Sequence, residues 1–258
     1  MQTTAIVKQR NGVFFLVGLS ALGWLLIFWS SENMSSPVVS MMMPMDVNWG
    51  LSEIVAVWIM WAVMMGAMML PSAIPMLVVH RRVAAKRDPG ATNSNTWFLI
   101  GYVLTWTLFS AVAAAAQWGF QRGGVLSPML RLQDQSIAGG FLIAAGIFQF
   151  TAIKTACLSK CRTPIGFLLT DWRPGRAGAL RMGLKHGKYC VGCCWALMMV
   201  LFVGGVMSLT TIAALSSIVL FEKLMPRGDL IAKLGGAFLI AWGLFLLAQE
   251  LTGIHSIV

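Results

Sequence analysis

Residues 54–79 read IVAVWIMWAVMMGAMMLPSAIPMLVV, 26 positions without a charged side chain. Wound as a helix they would extend about 39 Å, enough to cross the roughly 30 Å hydrocarbon layer of a bilayer. The run is apolar on every face. A strand of an outer-membrane barrel alternates polar and apolar residues over about ten positions, so that architecture is excluded. The remainder of the chain agrees: of 258 residues, 58% are hydrophobic and 11% charged. Soluble domains average about 45–50% apolar and about 25% charged residues. The reading is an all-α, polytopic transmembrane helix bundle.

Working outward, seven stretches qualify as spans: 13–29, 53–79, 96–118, 136–156, 190–207, 209–221 and 231–249. The sixth has 13 residues and would reach only about 20 Å. It is read as a full crossing, with a half-helix or a continuation broken at Gly204-Gly205 as the alternative, leaving six spans. Basic residues set the orientation. With seven spans, 17 of the 19 Lys and Arg fall on one side, and only Arg122 and Arg131 on the other. The N-terminus is then cytoplasmic, and the +10 net charge reflects this asymmetry rather than nucleic-acid binding. Lys8 and Arg10 before span 1 resemble a signal peptide's start, but no A-x-A-like site follows Trp29, so the span reads as a retained anchor. The expectation is a single integral membrane domain, 1–258, in a bacterial inner membrane. Its long cytoplasmic loop, 157–189, would contain an interfacial helix over Arg181–Lys188 facing lipid headgroups.

The five cysteines cluster at two span ends. Cys157 and Cys161 close span 4; Cys190, Cys193 and Cys194 open span 5. Residues three or four apart share a helix face, so each group can converge on one ion. The cytoplasmic side is reducing, which disfavours lasting disulfides, and Lys154, Lys160, Arg162, Lys185 and Lys188 are nearby cations suited to thiolates. A lone cysteine reads as a small core hydrophobe; five in register favour a site.

Methionine is the second sulfur population, with 18 residues. Met60, Met64 and Met68 recur every four residues along span 2, beside Met65, Met69 and Met76. Met198 lies one turn beyond Cys194. A methionine stripe alone reads as gap-filling core, but Met41–Met45 form a further group in an outer loop. Soft thiolate and thioether ligands select Cu(I). The implied route runs from Met41–Met45 along the span-2 face to a tighter thiolate site inside.

Other groups read more plainly. His80 and His186 lie in basic segments and read as solvated, with His186 a candidate auxiliary ligand four residues before Cys190; His255 belongs to the tail. Glu222 and Lys223 read as a solvated pair at a membrane edge, with an intramembrane ion site as the alternative. Pro71 and Pro75 would free backbone carbonyls in span 2. Cys190-Val-Gly-Cys193 lacks the following His of a c-type haem site. No phosphate loop, Ser/His/Asp arrangement or zinc-protease motif occurs, so the expectation is not an enzyme, and an ATP-driven pump is excluded.

Three stretches resemble an uncharacterised bacterial family described as predicted metal-binding integral membrane proteins, whose members are labelled copper chaperones. They are Trp61-Ala-Val-Met-Met-Gly-Ala-Met-Met-Leu-Pro71, Lys154-Thr-Ala-Cys-Leu-Ser-Lys-Cys-Arg-Thr-Pro164 and Gly183-Leu-Lys-His-Gly-Lys-Tyr-Cys-Val-Gly-Cys-Cys-Trp-Ala-Leu-Met198; Glu222-Lys223 also matches. The likeness covers about residues 50–250 and implies copper. The combined expectation is Cu(I) bound by Cys157, Cys161, Cys190, Cys193 and Cys194, with Met64, Met65, Met68, Met69 and Met198 as path or supporting ligands. Donor or acceptor proteins for copper would be its partners, alongside the lipid bilayer. Two alternatives stay open: a structural or assembly subunit of a larger membrane complex, and a membrane thiol–disulfide carrier.

Overall fold

A computed structural model of the chain describes residues 2–44, 46–88, 90 and 93–252, with side chains of the first helix from Val13 onward. Met45, His255 and the side chains of Lys8 and Arg10 lie outside the described residues. Eleven helices occur among those described, and no named strand: α1 Gln2–Glu32, α2 Pro37–Met42, α3 Leu51–Arg87, α4 Ser94–Arg122, α5 Gln135–Phe148, α6 Ala152–Arg162, α7 Pro164–Asp171, α8 Gly175–Met199, α9 Leu201–Gly204, α10 Leu209–Leu224 and α11 Gly228–Thr252. Five segments are long and apolar enough to cross a membrane; the α5–α6 pair, bent by 62°, passes the same test only when its two helices are taken together.

The segment 209–221, expected as the sixth span, is part of α10, whose 16 residues reach about 24 Å. Gly204-Gly205 does not bend a longer helix. Gly205 adopts φ +96°, a left-handed conformation open to glycine, and the chain reverses there. Ser208 caps α10 by accepting from the Thr211 amide at 3.4 Å. Thr211 Oγ1 donates back to the Gly204 carbonyl at 3.3 Å, so α10 runs antiparallel to α8.

The core forms around α3, which touches α1, α2, α4, α7 and α10. Met60, Met64, Met65, Met68, Met69 and Met76 are all buried there, as are Trp61 and Val57. Pro71 lacks an N–H and so leaves the Ala67 carbonyl without its helical donor. Ser20 of α1 supplies one, its hydroxyl donating to Ala67 O at 2.9 Å, and α3 continues unbroken through both prolines. At the far end Trp61 Nε1 donates to Gln117 Oε1 of α4 at 2.8 Å, and its ring meets Phe202 at 5.4 Å.

Small residues let the other helices approach. A Cβ at Gly183 would stand 2.8 Å from the Phe98 carbonyl carbon, and one at Gly187 would stand 2.6 Å from Thr105 Oγ1. The α4 and α8 backbones therefore nearly touch, as small residues allow in membrane bundles. Gly139 and Gly243 make the same kind of seam between α5 and α11.

The stretch Arg181–Lys188, expected as an interfacial helix leading into span 5, is helical and continuous with it, as the interior of α8 from Gly175 to Met199. Its two faces explain the pattern: Met182, Gly183, His186 and Gly187 are buried against α4, while Arg181, Lys185 and Lys188 are exposed. Cys190 consequently lies midway along the Gly175–Gly204 segment. The loop bearing Met41 also differs from a fully wetted cluster. Met41 is exposed, but Met42 and Met43 are half-buried against the core, because α2 folds onto α3.

Candidate metal centre

Cys190, Cys193 and Cys194 occupy successive turns of α8 and are buried. Two of these thiols point back along their own helix: Cys193 Sγ donates to the Cys190 carbonyl at 3.1 Å and Cys194 Sγ to the same oxygen at 2.9 Å. Cys190 points the other way, toward α3, α4 and α10. Its sulfur shares a hydrogen bond with the Tyr102 hydroxyl at 3.1 Å and accepts from Lys223 Nζ at 2.9 Å. Tyr102 also donates to the Met69 carbonyl at 3.2 Å.

The bend between α5 and α6 lays α6 against α8 and brings the other two cysteines over. Cys161 interacts with the sulfurs of Cys190 and Cys193. Cys157 is half-buried and sits above Gly192, where an added Cβ would lie 2.9 Å from its sulfur. Three cysteine sulfurs therefore gather around Cys190, with Cys157 at the rim, and all five thiols are free.

These sulfurs do not form a ready coordination shell. Among the described residues, no group of three or more His, Cys, Asp or Glu side chains is arranged to hold a metal ion. The reason is visible in the bonding, since the thiols of Cys193 and Cys194 are turned onto the Cys190 carbonyl. Rotating either side chain off that carbonyl would free its sulfur to serve as a ligand.

The expected methionine ligands divide. Met69 reaches the site, its thioether sulfur 3.9 Å from Lys223 Nζ. Met64, Met65, Met68 and Met198 are buried in the core around it. Of the stripe, Met69 is the residue in contact with Lys223.

Four polar residues read as solvated lie in the interior. Lys223, read as one half of a solvated pair with Glu222, is buried and bonds instead to Cys190, to Ser72 Oγ at 3.2 Å and to Met69. Glu222 is paired with Lys154 of α6 at 2.6 Å, and both side chains are 1% exposed. His80 and His186, also read as solvated, are buried because α4, α7 and Trp172 close over them: His80 meets Phe98 and Trp172, and His186 meets Phe98, Tyr102 and Phe167. His80 keeps one hydrogen bond to Asn95, whereas His186 Nδ1 has no partner.

Sequence reasoning missed Tyr102, Ser72 and the inward role of Lys154. A signal existed for two of them. Tyr102 is one of only two tyrosines in the chain, and Lys154 falls inside the predicted span 136–156, where an ionisable residue points to a partner. Beside the ion pair, a cavity of about 220 Å³ lies between α8, α10 and α11, lined mainly by apolar residues with Gln149 and Glu222 on its wall.

Against known proteins, one family model matches residues 58–246, that of PpoB2, described as a copper chaperone. No curated protein and no solved structure matches.

Proposed function

The chain belongs to the PpoB2 copper chaperone family, and from that premise we propose that it is a multi-pass protein of a bacterial inner membrane that binds Cu(I) through thiolates and passes it on. The observation that carries this reading is the gathering of Cys161, Cys193 and Cys194 around Cys190, next to the Met69 thioether and a buried ammonium. Sulfur donors of this softness suit Cu(I) above harder ions. Cys190 with one of Cys161, Cys193 or Cys194 forms the primary pair, and the remaining thiols hand the ion on by ligand exchange. Cys157, half-exposed at the rim, is the point of entry or exit. Nothing in this exchange requires catalysis, and a copper donor or acceptor protein completes it. The N-terminus lies on the cytoplasmic side.

The test is elemental analysis of detergent-purified protein loaded anaerobically with Cu(I), beside a variant with all five cysteines changed to serine. Near-stoichiometric copper in the wild type alone supports the reading. Equal, negligible copper in both proteins overturns it and leaves the cysteines as packing in a structural subunit.

A further inference from the structure

Three charged side chains are buried together where α6, α8 and α10 meet. Lys154 and Glu222 neutralise each other. Lys223 has no carboxylate partner among the described residues; its polar neighbours are the Cys190 sulfur, the Ser72 hydroxyl and the Met69 sulfur. Two cations against one carboxylate leave the interior with one surplus positive charge, placed 2.9 Å from the central sulfur.

We infer that Lys223 determines the charge of the ion accepted here, making the site selective for soft monovalent cations over soft divalent ones. The inference rests on the thiolate reading above and adds a specificity residue to it. Two bound thiolates and the ammonium sum to −1. A monovalent ion brings the buried cluster to zero, whereas a divalent ion leaves it at +1. Without the ammonium the sum is −2, and the preference reverses: the divalent ion is neutralised and the monovalent one leaves −1. Uncompensated charge is costly in an interior of low dielectric, and screening over so short a separation is weak. Lys154 and Glu222 contribute nothing to this balance because they cancel. Tyr102 and Ser72 orient the groups without adding charge.

Geometry supports Lys223 as a positioning residue rather than a spare surface lysine. Its ammonium is surrounded by a sulfur, a hydroxyl and a thioether drawn from α8 and α3, so it sits beside the place an ion held by Cys190 would occupy. Snorkelling toward water is the usual course for a lysine near a helix end; this one turns inward.

The experiment titrates the full-length protein in detergent, anaerobically, with Ag(I) and Cd(II) in competition, reading bound metal by elemental analysis. Relative to wild type, Lys223→Met should move the Ag(I)-to-Cd(II) affinity ratio at least tenfold toward Cd(II), while Lys223→Arg keeps the wild-type ratio. An unchanged ratio in Lys223→Met overturns the inference, as does an arginine variant that shifts as far as the methionine one. Should Lys223→Met not fold, Lys223→Gln removes the same charge with a polar end and reads the same ratio. Wild-type protein that binds neither ion overturns the thiolate site itself; wild-type protein that binds Ag(I) through its cysteines, with a ratio indifferent to Lys223, overturns only the role of the lysine.

Discussion

Lys223 Nζ lies 2.9 Å from Cys190 Sγ, joining α10 to α8 inside the bundle although 33 residues separate them. The contact explains two features at once. It gives a buried cation a sulfur partner, and it holds the end of a helix too short to count as a span against the cysteine turns of a longer one.

The cysteines should not contribute equally. Cys190 meets the sulfurs of Cys161 and Cys194 as well as Lys223 and Tyr102, whereas Cys157 is half-exposed over Gly192. Cys190→Ser is expected to weaken Cu(I) binding by more than about 100-fold, beyond the 10–100-fold typical of changes to supporting groups. Cys157→Ser should leave affinity nearly intact and slow release to an acceptor thiol. Competition with a Cu(I) chelator measures the first, and stopped-flow transfer the second.

Met69 should behave differently from its neighbours in the stripe. Leucine replaces methionine in a core at a cost below about 1.5 kcal/mol, so Met64→Leu and Met69→Leu should both fold and melt near the wild-type temperature. Only Met69→Leu removes a sulfur beside Lys223 and Cys190, and only it should lower Cu(I) affinity. Equal affinities in the two variants would place the whole stripe in the packing.

The Lys154–Glu222 pair should show the asymmetry of buried ions. Breaking a buried pair from one side costs about 3–5 kcal/mol, while replacing both partners is often neutral. Glu222→Gln alone is therefore expected to lower the unfolding midpoint in detergent sharply, and Lys154→Met combined with Glu222→Gln to recover most of the loss. The double-mutant cycle reads the coupling directly.

The seam between α4 and α8 can be tested with a single methyl group. Gly183→Ala drives a Cβ into the Phe98 backbone, and overpacking of this kind costs about 1–3 kcal/mol or more. Gly66 of α3 has nothing within 4 Å of the same added atom. Gly66→Ala should be neutral or stabilising by up to about 1 kcal/mol, the difference in helix propensity. Thermal unfolding followed by circular dichroism separates the two.

The apolar runs, the carbonyl freed by Pro71 and the grouping of cysteines at i, i+3 and i+4 were all legible along the chain, because each depends on spacing within one helix. The depth of the polar residues was not. His186 reads as part of a basic segment until α7 brings Phe167 over it, and Glu222 reads as the partner of its neighbour Lys223 until α6 brings Lys154 within 2.6 Å. The buried face of α8 was hidden for the same reason: Arg181, Lys185 and Lys188 read as a face toward lipid headgroups, whereas Met182, Gly183, His186 and Gly187 on the other face are buried.

By itself, then, the sequence determined an all-helical chain with membrane-length apolar helices and two cysteine groups, since hydrophobicity and helical period are local properties. Tertiary structure alone decided which polar groups meet. The partners of Lys223 come from α3 and α8, at sequence separations of 33, 151 and 154 residues. Burial in an apolar interior compels charged and polar groups to find such partners, and only the packing of whole helices determines which ones are within reach.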